Sequence, residues 1–430
     1  MYKTLSCSYL ILLLISFCGN SEAYEYPLTN PYEAAIIGTP VEFKAEIPEK
    51  VNVSTRKLKV FQERKTPDIF WYDDYFRYSL ATQKGSAPLI FVIAGTGADY
   101  NSPKMDMLLR VFYQAGFHVV TLTSPTHPNF IVSASSNSVP GNISEDSKDL
   151  YRVMELVWAE IREDLHVTEF YLTGYSLGGA QSAFVSKLDE DRKTFSFNKV
   201  LMINPPVSLF NSVSILDDLL VNNIPGGLDK MGEFMTETMD EFSEFYTMGN
   251  FVDIDDEFLY EVFKSLKSSP GKMAAVIGIS FRVSAANMYF TSDVVNNRGY
   301  IVPQNLVLTT SSSLTDYMLT SFRISFVDYF NEYFYPYFQG RQTSLSKQDL
   351  IASTSLNSIE DYLVSSKKIG LMTNQDDFIM APGEIEYLKK IFTSRAKIYP
   401  TGGHCGNMDY KENVAYMIDF FKKNKTGIDD

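Results

Sequence analysis

Thr173-Gly174-Tyr175-Ser176-Leu177-Gly178-Gly179 is the stretch of sequence that decides the fold. It directly follows an apolar run that ends at Leu172 and precedes a helix-forming segment. A strand that turns sharply into a helix forces the turn residue into a strained backbone geometry, and small residues two positions away on either side leave room for it. Gly174 and Gly178 supply that room. The stretch therefore predicts a nucleophile elbow with Ser176 at its tip.

A serine hydroxyl is a poor nucleophile at neutral pH and needs a base, usually a histidine. The chain has four histidines. His118 lies inside an apolar strand run, and His166 precedes the strand that leads to the serine, so both are poorly placed. His404 lies between glycines in a loop after the last apolar strand, where the backbone can bring the imidazole over the sheet. We expect His404 to be the base, and we expect His127, in an earlier loop, to line the pocket.

A carboxylate must hold the imidazole tautomer and stabilise the imidazolium as it forms. Two adjacent candidates, Asp376 and Asp377, follow a late apolar strand run and precede His404. Asp376 comes first after the strand, so it is the predicted third member, and Asp377 remains the alternative. Tyr175, beside the serine, is a further candidate for the pocket wall.

Apolar runs separated by helical patterns indicate a parallel sheet that helices cover on both faces. These runs are Leu89 to Ala94, Phe117 to Leu122, Phe170 to Leu172, Lys199 to Asn204 and Ile369 to Thr373. Shorter alternating runs near the N-terminus, Val41 to Ile47 and Leu58 to Phe61, predict antiparallel edge strands.

The order Ser176, Asp376, His404, with the serine in a G-x-S-x-G turn, resembles the α/β-hydrolase superfamily. The resemblance implies a mostly parallel sheet with helices on both faces and an oxyanion hole of two backbone N–H groups. Leu177, after the serine, matches the first donor. Gly95-Thr96-Gly97 occupies the position where the family often has His-Gly-x-Gly, which implies Thr96 as the second donor. Because Ala94 replaces that histidine, Gly97 is a rival.

The chain divides into four predicted parts. Residues 1–23 have the charge, apolar block and small residues of a secretory signal peptide. Residues 24–206 and 367–430 form the two parts of the hydrolase core, and residues 207–366, rich in Phe, Tyr and Met, form a mainly helical cap. Within the cap, residues 217–261 hold thirteen acidic residues and one basic residue, which predicts a solvated acidic face.

The composition excludes several classes of protein. A net charge of -14 provides no basic surface for nucleic acid. After loss of the leader only Cys405 remains of three cysteines, so no intrachain disulfide is expected. No histidine pair has ligand spacing, and we expect no metal or organic cofactor. No later segment has the uninterrupted apolar length of a membrane span. Because residues 1–23 have the pattern of a secretory signal peptide, we expect an exported protein, periplasmic or secreted.

The predicted activity is cleavage of a carboxylic ester through an acyl-enzyme. Ser176 would attack, His404 would transfer the proton, and Asp376 would orient the imidazole. The substrate would be a small or lipid-like ester, with short acyl groups, lipids and polyesters all open. Two alternatives remain: a peptidase or amidase that uses the same residues, and a binding protein that keeps the fold without the chemistry.

Overall fold

The computed structural model describes residues 24–224 and 269–422, together with residues 226, 227, 230, 232–234 and 236. The predicted leader and most of the acidic stretch lie outside the described residues. Eight strands form one sheet: β1 (Val53–Leu58), β2 (Phe76–Ala81), β3 (Ala87–Ile93), β4 (His118–Leu122), β5 (Val167–Tyr175), β6 (Lys199–Ile203), β7 (Ile369–Asn374) and β8 (Ala396–Tyr399).

The strands lie in the order β1-β2-β4-β3-β5-β6-β7-β8. β1 and β2 are antiparallel to their neighbours, and the other six strands are parallel. The predicted fold class is confirmed. The two runs predicted as antiparallel edge strands are not strands as predicted. Leu58 ends β1 instead of beginning a strand, and Val41–Phe43 is a 3₁₀ turn. Val41 is 83% exposed, so this alternating run has no buried face to pair against the sheet.

The helices of the core and the cap follow in chain order: α1 (Pro31–Ile37), α2 (Pro103–Gln114), α3 (Pro128–Ser133), α4 (Ile143–Ile161), α5 (Leu177–Arg192), α6 (Leu209–Val221), α7 (Pro270–Asn296), α8 (Thr315–Arg323), α9 (Phe326–Asp328), α10 (Tyr335–Arg341), α11 (Lys347–Ser353), α12 (Glu360–Ser365), α13 (Glu384–Phe392) and α14 (Lys411–Lys422). A π-helical segment, Tyr329–Phe334, joins α9 to α10. The described cap is thus helical and is inserted between β6 and β7.

The sheet separates two hydrophobic cores. Leu89, Phe91 and Ile93 of β3 pack into one core, and Ile90 and Val92 pack into the other. This alternation follows from the two-residue period of a strand, and it explains why a strand covered on both faces is apolar throughout. Because β3 to β8 are parallel, their carboxyl ends all lie at one edge of the sheet.

The cap has a hydrophobic core of its own, which is rich in aromatic rings. Tyr289 of α7 stacks on Tyr329 with ring centroids 4.3 Å apart, and Tyr329 stacks on Tyr333. Among the described residues, α7 is long and apolar enough to span a bilayer, but 67% of its apolar window is buried inside the protein. Its contacts with α6, α8 and α3 make it the central helix of the cap.

Candidate active site

Ser176 lies at the tip of a sharp turn between β5 and α5. Its φ of 54° and ψ of -126° are in a backbone region that residues other than glycine rarely adopt. Such backbone strain is typical of functional positions. The turn closes only because its neighbours are small. A Cβ on Gly178 would lie 2.2 Å from the carbonyl oxygen of Ile93, and one on Gly174 would lie 2.3 Å from that of Gly178. Both glycines are in the positions that the elbow requires.

His404 lies in the loop between β8 and α14, at the same edge of the sheet as the serine. Its Nε2 is 2.9 Å from Ser176 Oγ. Its Nδ1 is 3.0 Å from each carboxylate oxygen of Asp377. The structure therefore joins a serine, a histidine and a carboxylate in one chain of hydrogen bonds.

The prediction that Asp376 orients the imidazole is wrong, because Asp377 occupies that place. After β7 the chain turns, with the Asp377 amide directed at the Asn374 carbonyl, and this turn brings the second aspartate to the imidazole. Asp377 is 4% exposed and also accepts a hydrogen bond from the Ile379 amide at 3.3 Å. Two adjacent aspartates carry no local signal that decides which one faces the histidine.

Asp376 has a different partner, the backbone of the loop that carries His404. Its two oxygens accept from the Gly402 amide at 3.2 Å and the Gly403 amide at 2.9 Å. Burial raises the pKa of Asp376, and the two amide donors oppose that rise. Asp376 thus fixes the loop, whereas Asp377 fixes the ring.

Asn204 is a member of the site that the sequence analysis missed. It follows β6, has a φ of 44°, and donates from Nδ2 to Asp377 Oδ2 at 2.9 Å. This bond leaves the carboxylate in one orientation relative to His404. An asparagine directly after an apolar strand at the active edge is a usable signal, because Asn tolerates the left-handed backbone better than most residues.

The Asp377 carboxylate also sets the proton affinity of the imidazole. Burial disfavours the charged imidazolium, but the charge and hydrogen bond of Asp377, with a contribution from Cys405, outweigh it and hold the pKa of His404 well above its ordinary value. Cys405 Sγ is 3.8 Å from His404 Nε2. His404 therefore binds a proton more tightly than a free imidazole does.

The predicted oxyanion donors lie around the serine. The rival donor, the Gly97 amide, donates to Thr126 Oγ1 at 2.8 Å and is already engaged. Leu177 is the first residue of α5, where helix amides have no intrahelical partner. Thr96 lines a cavity together with Ser176. Thr96 and Leu177 stay the predicted pair.

A cavity of about 520 Å³ opens above Ser176 and His404. His127 and Tyr175 line it, in the places that the sequence analysis gave them. His127 is the N-cap residue directly before α3, and its Nδ1 accepts from the Asn129 amide at 3.1 Å. Burial, with a smaller effect from Arg77, lowers the pKa of His127 to about 4, so this imidazole is neutral at pH 7.

The segment directly after the predicted leader packs under the His404 loop. Tyr26 Oη donates to the carbonyls of Gly38 at 3.2 Å and Gly406 at 3.0 Å. Tyr24 Oη accepts from Asn407 Nδ2 at 2.7 Å. Sequence reasoning could not find the contacts with Gly406 and Asn407, since they join residues about 380 positions apart.

Within the part of the chain that the structure describes, no group of three or more His, Cys, Asp or Glu side chains could hold a metal ion.

No family model and no curated protein matches the chain. Solved structures match over most of its length. A proline iminopeptidase from Mycobacterium smegmatis is 13% identical, with 85% of this chain and 97% of that chain covered and a TM-score of 0.42. A serine hydrolase from Cycloclasticus zankles is 14% identical, with 86% and 98% covered and a TM-score of 0.43. An esterase from Pyrococcus furiosus is 11% identical, with 88% and 97% covered and a TM-score of 0.39.

The chain's own topology identifies the fold. Parallel strands β5, β7 and β8 each end at the same edge and are followed by Ser176, Asp377 and His404. A serine turn between a strand and a helix, with the chain order Ser176, Asp377, His404, is the arrangement of the α/β-hydrolase fold. The chain has the fold of the α/β-hydrolase superfamily.

Proposed function

We propose that the protein is a serine hydrolase that cleaves a carboxylic ester through an acyl-enzyme. The observation that carries the proposal is the hydrogen-bond chain from Ser176 Oγ through His404 to Asp377. A buried carboxylate behind an imidazole that reaches a strained serine has the geometry of an activated nucleophile.

The proposed reaction has two halves. Ser176 Oγ attacks the ester carbonyl while its proton passes to His404 Nε2, and Asp377 stabilises the imidazolium. The amides of Thr96 and Leu177 stabilise the oxyanion, and His404 returns the proton to the departing alcohol. Water then attacks the acyl-enzyme by the same route and releases the acid. Loss of one such amide donor costs about 10²- to 10³-fold in rate at comparable sites.

Labelling by a fluorophosphonate probe tests the nucleophile. We expect the probe to modify Ser176 in the wild type, the Ser176→Ala variant to take up none, and the His404→Ala variant to react slowly. Ser186→Ala is the matched control, because Ser186 lies on α5 and its hydroxyl is 2.8 Å from Tyr362 Oη, away from the site. Folded wild type that takes up no probe contradicts the proposal.

The leaving group is tested with paired substrates. A panel of p-nitrophenyl esters and aminoacyl anilides separates ester cleavage from amide cleavage, since both use the same three side chains. We expect ester turnover to dominate. Dominant anilide turnover would assign the site to a peptidase or amidase.

We also propose that the protein is exported, on the strength of the signal sequence in residues 1–23. Removal of those residues would leave Tyr24 as the first residue, and its ring packs 4.6 Å from that of Tyr399 at the end of β8. N-terminal sequencing of protein from the medium or the periplasm is expected to begin at Tyr24. A cytoplasmic protein that keeps residue 1 contradicts export.

A further inference from the structure

We infer that the substrate is a short-chain acyl ester of a bulky, polar alcohol; this inference rests on the proposed function and specifies its substrate. It starts from two cavities that meet at the candidate oxyanion donor. The larger, about 520 Å³, is lined by Ser176 and His404. The smaller, about 50 Å³, is lined by Leu177 and the cap aromatics. Thr96 lines both.

The direction of the substrate follows from where His404 lies. The departing alcohol oxygen must receive its proton from His404 Nε2, so the alcohol has to occupy the cavity that His404 lines. The acyl chain extends from the other side of the carbonyl carbon, past Thr96 and Leu177. That direction leads into the smaller cavity.

The smaller cavity suits an apolar group of a few carbons. Its wall is formed largely by cap residues, including Phe281, Ala285, Met288, Tyr289, Phe326 and Phe330. An apolar protein cavity of about 150 Å³ binds a benzene ring, so one of about 50 Å³ takes a much shorter acyl group. Long-chain acids do not fit this volume.

The larger cavity suits a polar alcohol of some size. Four polar side chains, those of Asp99, Lys104, His127 and Asn287, line it together with apolar residues of α7, around a volume ten times that of its neighbour. Asn287 is exposed, so the alcohol side is open to water. A polyol fits this environment better than a small alkyl alcohol.

One helix separates the two cavities. On α7, Met288 and Ala285 face only the smaller cavity, and Val283 faces only the larger one. Phe281 and Ser284 line both cavities. Ser284 also lies against the loop that contains Thr96 and Gly97, because a Cβ on Gly97 would be 2.7 Å from Ser284 Oγ. Substitutions on this single helix therefore change the acyl and alcohol sides separately.

An acyl-length series of p-nitrophenyl esters, from acetate to octanoate, tests the acyl side. We expect the wild type to have its highest kcat/KM at acetate or butyrate. Ala285→Leu should lower kcat/KM for butyrate relative to acetate by about tenfold. Met288→Ala should shift the preferred acyl group to a longer chain and raise kcat/KM for that chain relative to acetate by about tenfold. Val283→Ala is the matched truncation on the other cavity and should change all esters by the same factor.

Acetates of two alcohols test the other side. We expect kcat/KM for a hexitol monoacetate to exceed that for ethyl acetate by about tenfold. A wild type that prefers octanoate, or an acyl profile that responds to Val283→Ala and not to Ala285→Leu or Met288→Ala, overturns the inference. In those cases esters are still cleaved and the proposed function stands. If no ester is cleaved and Ser176 takes up no fluorophosphonate, both are overturned.

Discussion

The serine turn and the histidine loop are held in place by different kinds of contact. The turn depends on residues close in sequence, Gly174 and Gly178, packed against the backbone of β3. The loop depends on distant residues: Asp376 after β7, which holds the Gly402 and Gly403 amides, and Tyr24 and Tyr26 near the N-terminus, which contact the loop just beyond the histidine. Local geometry thus positions the nucleophile, whereas tertiary contacts position the base.

The largest effect is expected where the loop meets the chemistry. Asp377→Asn should lower kcat by about 10⁴-fold, because the amide cannot hold the imidazole tautomer that accepts the serine proton. The negative charge of Asp377 raises the pKa of His404, so the pKa of His404 should be lower in the variant than in the wild type. Since the reaction needs neutral His404, the acidic limb of the pH profile of kcat/KM should lie above pH 6.5 in the wild type and move to lower pH in the variant.

A pH series on both proteins measures this shift. An acidic limb that stays in place in Asp377→Asn would show that another group titrates there.

The turn can be broken by one methyl group. In Gly178→Ala the new Cβ would lie within 2.6 Å of two carbonyl oxygens, that of Ile93 at the end of β3 and that of Ala94 directly after it. Relief requires the turn to move, and a displacement of about 1 Å costs about 10²-fold in rate. We expect a kcat loss of that size and a lower melting temperature.

Gly340→Ala is the control, since a Cβ there meets nothing within 4 Å. Kinetics and thermal melts on the two variants are compared. Wild-type kcat in Gly178→Ala would mean that the turn tolerates a side chain.

Asp376→Asn tests the loop anchor without touching the imidazole. The variant replaces one of the two oxygens that accept from Gly402 and Gly403 with a donor, so the loop loses a charge-assisted hydrogen bond. We expect kcat to fall about tenfold, which corresponds to about 1.4 kcal/mol. The acidic limb should stay close to its wild-type position, in contrast to Asp377→Asn. A 10⁴-fold loss of kcat with a shifted acidic limb would show that Asp376, and not Asp377, orients the imidazole.

The smallest effect is expected at the N-terminal contact. Tyr26→Phe removes a buried hydroxyl that donates to Gly38 and Gly406, at a cost of about 1 kcal/mol of unfolding free energy. Because other contacts still hold the loop, kcat should fall less than about threefold. Tyr72→Phe, on a half-exposed side chain, is the control. Urea unfolding and steady-state rates measure both, and an unchanged unfolding midpoint in Tyr26→Phe would contradict the role assigned to this contact.

The parts of the site that could be predicted are those encoded within a few residues. The glycine spacing around Ser176 and the glycine-rich loop around His404 are local patterns. The buried parallel strands are local too, since their apolar runs reflect burial on both faces. The choice between Asp376 and Asp377 depends on the turn after β7 and on Asn204 from another strand, so no short stretch encodes it.

The edge strand predicted at Val41 to Ile47 failed for a related reason. Alternation alone favours a strand, but only a partner makes one, and Val41 is exposed while Lys44 forms an isolated bridge with Tyr410. The cavities could not be predicted from the sequence either, because residues from the core, α6, α7 and the π-helical segment form their walls together.

The hydrogen bond between Tyr26 and Gly406 has a consequence for synthesis on the ribosome. The two residues are 380 positions apart, and His404 lies beside the second. Serine and oxyanion loop are translated long before the base, so a growing chain has a nucleophile with nothing to activate it. Closing so long a loop is also slow, because its entropy must be lost before any contact rewards it. The proposed hydrolytic activity is therefore expected to be acquired late, and we expect fragments that end before the histidine loop to be inert.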